Sequence, residues 1–282
     1  MRPRFFFDTA DASYIRKVWG WLSPHIDSDV CLGITTNPNA LSKIGCTTLF
    51  QLEDVIPTLC ELTTEMRGGC DGGVVWVQTP NSKMPFNEIF DWASYILELT
   101  DGITNVGMKI PHWTAILELT DELSDMGVEI NVTGISDWAT LLKAFQYKGV
   151  SYASIIPGRM EEVGLDANLH MEYIDRIRRP QTYQKVIAGS MRTVEGLRNA
   201  IERGTVPTIG ARIWDKFLMP KLFTSRPDMS FFPNMWSDVD MNDRAGFTHP
   251  PVIDDDNVQL SKAFFEQMDL LGESLYKEWE SA

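Results

Sequence analysis

The chain has 282 residues, of which 44% are hydrophobic, enough for a large folded core and therefore against global disorder. Its formal net charge of -14 argues against general binding to a nucleic-acid backbone, although a local group of arginines can still hold a small phosphate. A chain of this length fits one α/β barrel or two smaller domains.

Short β-prone runs alternate with longer helical patterns along most of the chain. The runs are mostly uninterrupted apolar stretches, which is typical of parallel strands covered on both faces. They are Phe5–Asp8, Val30–Thr35, Gly73–Gln78, Val106–Ile110, Val128–Thr133, Ser151–Ile156, Lys185–Ser190 and Thr205–Ile209. Asp11, Asp137 and Thr193 offer helix N-caps, and Pro85 and Pro111 are expected to open helices. This alternation predicts a (β/α)8 TIM barrel rather than an open doubly wound sheet.

The C-terminal part of the chain departs from this alternation. Five prolines stand between Pro220 and Asp256 among Asp, Met and Phe residues, which indicates a long irregular excursion. Apolar residues then return to helical spacing from Val258 to Trp279. We therefore expect a barrel domain at residues 1–220. Residues 221–282 are expected to form the excursion plus a terminal helix, which packs on its own barrel or on a neighbouring subunit.

The cysteines and histidines give no sign of a metal site or a disulfide framework. The four cysteines form no CxxC pair, and the four histidines are scattered without HExxH-type spacing. Cysteines of this kind favour a reducing, cytoplasmic location. No apolar run reaches the roughly 18 residues that span a membrane. We expect no metal, no membrane partner and no nucleic-acid partner.

Lys109 is the residue that most suggests chemistry. It stands near the end of a strand that reads as buried, directly before Ile110 and Pro111. Burial disfavours the ammonium form, lowers the pKa of a lysine and frees its amine to attack a carbonyl group. The alternative is a strand-end lysine whose ammonium group extends to solvent.

Polar and charged residues stand at the ends of the other strands. In a barrel these ends meet at one face, where the catalytic groups of barrel enzymes lie. The residues are Asp8, Thr35, Asn37, Gln78, Asn131, Thr133, Ser154, Arg159, Ser190 and Arg192. Each has a structural alternative, such as a helix cap for Asp8 or a turn at Thr35, but packing does not explain their joint positions.

The motifs at these strand ends resemble those of the transaldolase family, in particular its small members, which include fructose-6-phosphate aldolase-like proteins. Their order and spacing agree from about residue 4 to residue 220. The motifs are Phe7-Asp8-Thr9-Ala10, Gly33-Ile34-Thr35-Thr36-Asn37-Pro38, Lys109-Ile110-Pro111, Ile130-Asn131-Val132-Thr133, Pro157-Gly158-Arg159 and Ala188-Gly189-Ser190-Met191-Arg192.

The resemblance implies a class I enzyme that moves a dihydroxyacetone unit between sugar phosphates, of the sedoheptulose 7-phosphate and fructose 6-phosphate type, without a metal or an organic cofactor. It implies that Lys109 forms a Schiff base, that Asp8 transfers protons and that Thr133 positions the catalytic water. The substrate-binding residues it implies are Thr35, Asn37, Asn131, Ser154, Arg159, Ser190 and Arg192. It also suggests the pentose phosphate pathway and a homo-oligomer.

Two positions depart from the family pattern. Trp76 stands where family members usually have Glu, or Gln in the aldolase branch, and Gln78 follows on the same face of the strand. Ile156 stands where the family has Phe or Tyr before the Gly-Arg pair. Two alternatives therefore stay open. One is an aldolase that uses free dihydroxyacetone, and the other is a barrel that binds sugar phosphates without efficient turnover.

Overall fold

The computed structural model describes residues 5–25, 32–66, 73–100, 106–177, 184–218 and 250–281. Within these ranges eight parallel strands pair in chain order, and the last pairs with the first to close a barrel. The strands are β1 (Phe5–Asp8), β2 (Leu32–Thr35), β3 (Val75–Gln78), β4 (Val106–Pro111), β5 (Glu129–Ile135), β6 (Val150–Ile155), β7 (Lys185–Ala188) and β8 (Val206–Ile209). The predicted (β/α)8 barrel is confirmed.

Helices follow the strands along the chain. They are α1 (Ala12–Leu22), α2 (Pro38–Lys43), α3 (Leu49–Glu65), α4 (Phe86–Leu99), α5 (Thr114–Leu117), α6 (Thr120–Asp125), α7 (Trp138–Ala144), α8 (Pro157–Glu162), α9 (Ala167–Ile177), α10 (Val194–Glu202), α11 (Ala211–Ile213) and α12 (Asp255–Ser281). The side chains of Asp11, Asp137 and Thr193 cap α1, α7 and α10 by accepting hydrogen bonds from backbone N–H groups, as the sequence predicted.

One predicted helix start is wrong. The sequence suggested that Pro111 opens a helix, but Pro111 is the last residue of β4 and pairs in register with Thr133 of β5. The fixed φ of proline is compatible with the end of a strand as well as with the first turn of a helix. The helix that follows, α5, begins at Thr114.

A layer of aromatic side chains fills the barrel interior below the ends of the strands. Phe6, Trp76 and Tyr152 belong to one buried cluster, and the rings of Trp76 and Tyr152 meet edge to face at 5.1 Å between centroids. Gly107 makes room for this layer, because a Cβ atom there would lie 2.4 Å from the Trp76 ring. The layer closes the barrel from below and leaves the C-terminal ends of the strands for a binding site.

The terminal helix α12 lies against the C-terminal face of its own barrel. Asn257 Nδ2 donates to the Ser136 carbonyl oxygen at 2.6 Å, and Ser261 Oγ donates to the Gly134 carbonyl oxygen at 2.8 Å. Gly134 has a φ of +76°, and a Cβ atom there would lie 2.4 Å from the Phe265 ring of the helix. These contacts fix α12 beside the end of β5.

Most of the predicted excursion, residues 219–249, lies outside the described residues. The domain boundary at residue 220 therefore stays a prediction, as does a contact of α12 with a neighbouring subunit. Across the described ranges, no helix is both long enough and apolar enough to cross a membrane.

Candidate active site

Lys109 of β4 is buried at the mouth of the barrel. Only 6% of the residue is exposed, so its ammonium group does not extend to solvent. Lys109 Nζ lies 3.1 Å from Thr35 Oγ1 and donates to the Thr36 carbonyl oxygen at 3.3 Å. Burial lowers the pKa of Lys109 to about 8, against the opposing effect of the Asp8 carboxylate. Near neutral pH a usable fraction of this side chain is therefore the free amine.

Two amide side chains flank Lys109 at the same level of the barrel. Gln78 of β3 and Asn131 of β5 are its register partners, and parallel neighbours in register direct their side chains to the same side of the sheet. Ser154 Oγ donates to Asn131 Oδ1 at 2.8 Å and holds that amide. Gln78 Oε1 and Asn131 Nδ2 are buried without a hydrogen-bond partner in the structure. Buried polar atoms of this kind are where a polar ligand is expected to bind.

Gln78, and not Trp76, stands beside the lysine. Trp76 pairs in register with Gly107, two residues before Lys109, and belongs to the aromatic layer below. Gln78 was absent from the predicted site residues. The two-residue period of the strand had already singled it out as sharing one face with Trp76, but it was assigned no role in the site.

Asp8 stands at the end of β1, in register with Thr35 of β2. Burial raises the pKa of the Asp8 carboxyl group, while the positive charges of Lys109, Lys43 and Arg192 oppose that rise. A carboxyl group whose pKa is raised by burial accepts a proton more readily than an exposed one. Asp8 is thus suited to proton transfer beside the lysine.

Two adjoining cavities meet at these residues. The inner one, of about 30 Å³, is lined by Lys109 and Thr133 among others. The outer one, of about 440 Å³, opens between the loops at the ends of the strands. Four residues line both: Asp8, Asn37, Ser190 and Phe264. The two cavities therefore form one continuous site with the lysine at its inner end.

The outer cavity carries four positively charged side chains, Lys43, Arg159, Arg192 and Arg212. Arg192 donates from Nη1 to the Ser190 carbonyl oxygen at 3.0 Å and from Nε to a carboxylate oxygen of Glu162 at 2.6 Å. In a chain of net charge -14, such a group of cations marks a place for an anion. Burial, and then the nearby Arg192 charge, lower the pKa of Arg159, and a bound anion would relieve that repulsion.

The loop that carries Ser190 packs tightly against the start of α8. Ser190 has a φ of 57°, the only positive value among the described non-glycine residues. A Cβ atom on Gly158 would lie 1.8 Å from the Ser190 carbonyl oxygen, so only glycine fits beside this loop. This contact holds Gly158-Arg159 against the segment Ser190-Met191-Arg192.

The aromatic side chain near the Gly-Arg pair comes from the terminal helix. Ile156 is buried in one cluster with Phe264, Phe265 and Met268 of α12. Phe264 also lines both cavities. The sequence did not predict Phe264 as a site residue, because it is far from Ile156 along the chain and only the docking of α12 brings the two together.

The structure brings the ten predicted site residues together at one face. Nine of them line the cavities: Asp8, Thr35, Asn37, Lys109, Thr133, Ser154, Arg159, Ser190 and Arg192. Asn131 reaches the site through its hydrogen bond with Ser154. Asn37 also serves as an N-cap, because its Oδ1 accepts from the Ala40 N–H at 2.9 Å. Within the described part of the chain, no group of His, Cys, Asp and Glu side chains offers a metal site.

Comparison with known proteins gives a family and a set of relatives. Residues 5–243 match the family described as Transaldolase/Fructose-6-phosphate aldolase. Proteins named "Probable transaldolase" from Streptococcus pyogenes serotype M5 (strain Manfredo) and serotype M49 (strain NZ131) are each 28% identical to this chain over 224 residues, which are 79% of this chain and 93% of theirs. Among solved structures, the FimX EAL domain aligns at 14% identity and a TM-score of 0.40 over 60% of this chain and 70% of its own, a likeness too loose to carry an argument.

Proposed function

The chain belongs to the transaldolase/fructose-6-phosphate aldolase family, and on that basis we propose that it is a Schiff-base enzyme that transfers a dihydroxyacetone unit between sugar phosphates. One observation carries the proposal. A buried lysine with a pKa of about 8 stands at the inner end of a site whose outer end is lined by arginines. The lysine suits a ketone and the arginines suit a phosphate, so the two ends fit the two ends of a ketose phosphate.

The proposed reaction begins at the Lys109 amine. The amine attacks the ketone carbon of the ketose phosphate, and loss of water gives an iminium ion, with Thr133 and Gln78 holding that water. Asp8 takes the proton of the C4 hydroxyl group as the C3–C4 bond breaks, and the iminium nitrogen accepts the bonding electrons as an enamine. The aldehyde phosphate leaves. The enamine attacks an acceptor aldehyde, Asp8 returns its proton to the new hydroxyl group, and water releases the product from Lys109.

The remaining polar residues divide between the two ends of the substrate. Asn131, held by Ser154, and Asn37 with Thr35 would bind the hydroxyl groups of the dihydroxyacetone unit, since side-chain amides both donate and accept. At the other end Ser190, Arg159 and Arg192 would bind the phosphate. Charge-assisted hydrogen bonds from guanidinium groups are the strongest contacts available for that anion.

An aldolase that releases or uses free dihydroxyacetone is the second candidate. It is favoured by one observation, the neutral amide of Gln78 beside Lys109, because the resemblance associates Gln at this place with the aldolase branch. Incubation with fructose 6-phosphate and erythrose 4-phosphate separates the two. A transaldolase forms sedoheptulose 7-phosphate, whereas an aldolase releases free dihydroxyacetone from fructose 6-phosphate alone. Absence of both products from a folded protein that binds the sugar phosphate would leave the barrel that binds without turnover.

The proposal extends to the pathway, the cellular location and the oligomeric state of the protein. A transferase of this kind acts in the pentose phosphate pathway, and the cysteine pattern favours the cytoplasm. By its resemblance to small transaldolases, the chain is expected to form a homo-oligomer. Analytical ultracentrifugation tests the oligomeric state, and a sedimentation coefficient of a 32.0 kDa monomer would overturn it.

A further inference from the structure

Arg159 is held from outside the barrel by two residues of the terminal helix α12. Its Nη1 donates to Gln267 Oε1 at 2.8 Å, and its guanidinium carbon lies 5.0 Å from the centre of the Phe264 ring. Phe264 is buried, whereas Gln267 lies at the exposed rim of the site. The two contacts are of different kinds, one a hydrogen bond and one a cation–π contact, and together they restrict the direction of the guanidinium plane.

The contact with Gln267 leaves the charge of Arg159 available. Arg192, the other arginine beside Ser190, donates from Nε to the Glu162 carboxylate, so part of its charge is already balanced. Gln267 is a neutral acceptor and orients Arg159 without neutralising it. Arg159 Nε is buried and has no hydrogen-bond partner in the structure. An oxyanion in the outer cavity, which Arg159 lines, is the partner that this donor lacks.

The helix that supplies Gln267 and Phe264 is fixed on both sides of them. Ser261 Oγ donates to the Gly134 carbonyl oxygen at 2.8 Å, and Asp269 accepts from the Ser82 N–H at 2.7 Å and from Ser82 Oγ at 2.8 Å. These bonds connect α12 to the end of β5 and to the segment between β3 and α4. A side chain supported by a fixed element holds its geometry better than one carried by a free loop.

We propose that Gln267 and Phe264 are positioning residues that hold the Arg159 guanidinium group for the phosphate of the substrate. An unrestrained arginine loses rotamer entropy when it is immobilised, and a guanidinium group already in place avoids part of that loss on binding. The terminal helix thereby sets the preference for phosphorylated over free substrates. The proposal rests on the proposed function for the identity of the substrate, but its binding step is testable without turnover.

Titration calorimetry with inorganic phosphate tests the binding step directly. Gln267→Ala is expected to raise the Kd for phosphate about fivefold, the usual effect of losing one hydrogen bond. Gln259→Ala is the matched control, because Gln259 is an exposed glutamine of the same helix that lines neither cavity. Its Kd is expected to equal that of the wild type. Phe264→Leu, which keeps the site apolar, is expected to raise the Kd as Gln267→Ala does.

A double-mutant cycle separates positioning from a general loosening of the helix. If Gln267 acts through Arg159, then Gln267→Ala adds nothing to the loss that Arg159→Gln already causes. A loosened helix would add its own loss in both backgrounds. In the active enzyme the same logic predicts a higher KM for fructose 6-phosphate in Gln267→Ala, with unchanged kcat and an unchanged KM for unphosphorylated fructose as the donor.

The proposal is overturned if the wild type does not bind phosphate, or if Gln267→Ala binds phosphate as tightly as the wild type. It is also overturned if Gln259→Ala loses as much phosphate affinity as Gln267→Ala, or if the losses of Gln267→Ala and Arg159→Gln are additive. Its failure is distinguishable from failure of the proposed function. A Lys109 adduct with no effect of Gln267→Ala removes the positioning role alone. Phosphate binding that depends on Gln267 in a protein without an adduct removes the enzyme activity alone.

Discussion

Gln78 and Lys109 lie opposite each other in the β3–β4 ladder, so their side chains enter the mouth of the barrel at the same level. Gln78 is buried, and its Oε1 has no hydrogen-bond partner in the structure. Trp76, which raised the question of an impaired site, instead belongs to the aromatic layer below. The place next to the lysine is therefore occupied by a group that can hold a water molecule.

Replacement of Gln78 is expected to reduce turnover while the fold persists. Gln78→Leu keeps the volume of the side chain but removes its polar atoms, and we expect kcat to fall by about 10-fold, as for loss of one hydrogen bond to the catalytic water. Trp76→Phe is the control, with kcat close to that of the wild type and a lower free energy of unfolding. Steady-state kinetics and urea titration measure the two effects. Equal kcat losses in both variants would contradict the assignment.

Burial of Lys109 is expected to lower the free energy of unfolding of the protein at pH 7. Its pKa falls from 10.5 to about 8 on burial, so the folded state carries a penalty at pH 7. Lys109→Met should raise the free energy of unfolding at pH 7 by roughly 3 kcal/mol, because the fall of the pKa from 10.5 to about 8 corresponds to roughly 1.4 kcal/mol per pKa unit.

The pH dependence of that gain has a definite sign. Between about pH 8 and pH 10.5 the unfolded lysine binds its proton and the folded one does not, so wild-type stability rises with pH there and the advantage of Lys109→Met shrinks. Chemical denaturation of both proteins from pH 7 to pH 10 measures the difference. An advantage that stays constant across this range would show that the lysine has an ordinary pKa in the folded protein.

Activity should rise with pH as Lys109 loses its proton. The free amine is the nucleophile, so kcat/KM for fructose 6-phosphate is expected to increase through about pH 8 and then level off. The profile is measured in buffers of constant ionic strength. A rate that is independent of pH between 7 and 9 would contradict the assigned pKa.

Removal of the Arg192 charge should weaken binding of phosphorylated substrates selectively. Arg192→Gln is expected to raise the KM for fructose 6-phosphate about tenfold or more, since charge-assisted hydrogen bonds are lost, and to leave the KM for unphosphorylated fructose unchanged. Arg198→Gln is the control, because Arg198 pairs with Glu195 on the exposed surface of α10 and is half exposed. Equal increases for both donors in Arg192→Gln would remove Arg192 from the phosphate site.

The sequence alone predicted the eight strands and the barrel, because parallel strands buried on both faces read as continuous apolar runs. It also predicted that Lys109 and Asp8 share one face, since barrel strands end together. It mistook Pro111 for a helix start, because the fixed φ of proline suits both a strand end and a first helical turn. Only the register with Thr133 of β5 decides between them.

Sequence patterns did not predict that the terminal helix contributes side chains to the site. Helical spacing predicted that α12 exists. Its apolar face could pack on its own barrel or on a neighbouring subunit, and the spacing does not distinguish the two. Phe264 approaches Ile156, and Gln267 binds Arg159, only because Gly134 admits the Phe265 ring and Ser261 bonds to the end of β5. Such contacts depend on tertiary docking and leave no local signal.

The most direct test of the account is the mass of the intact protein after borohydride reduction in the presence of fructose 6-phosphate, followed by peptide mapping. Reduction traps the iminium ion as a stable secondary amine. We expect one dihydroxyacetone-derived adduct per chain, located on Lys109, and none in Lys109→Met. An unmodified wild-type protein that still binds the sugar phosphate, or an adduct on another lysine, would contradict the account.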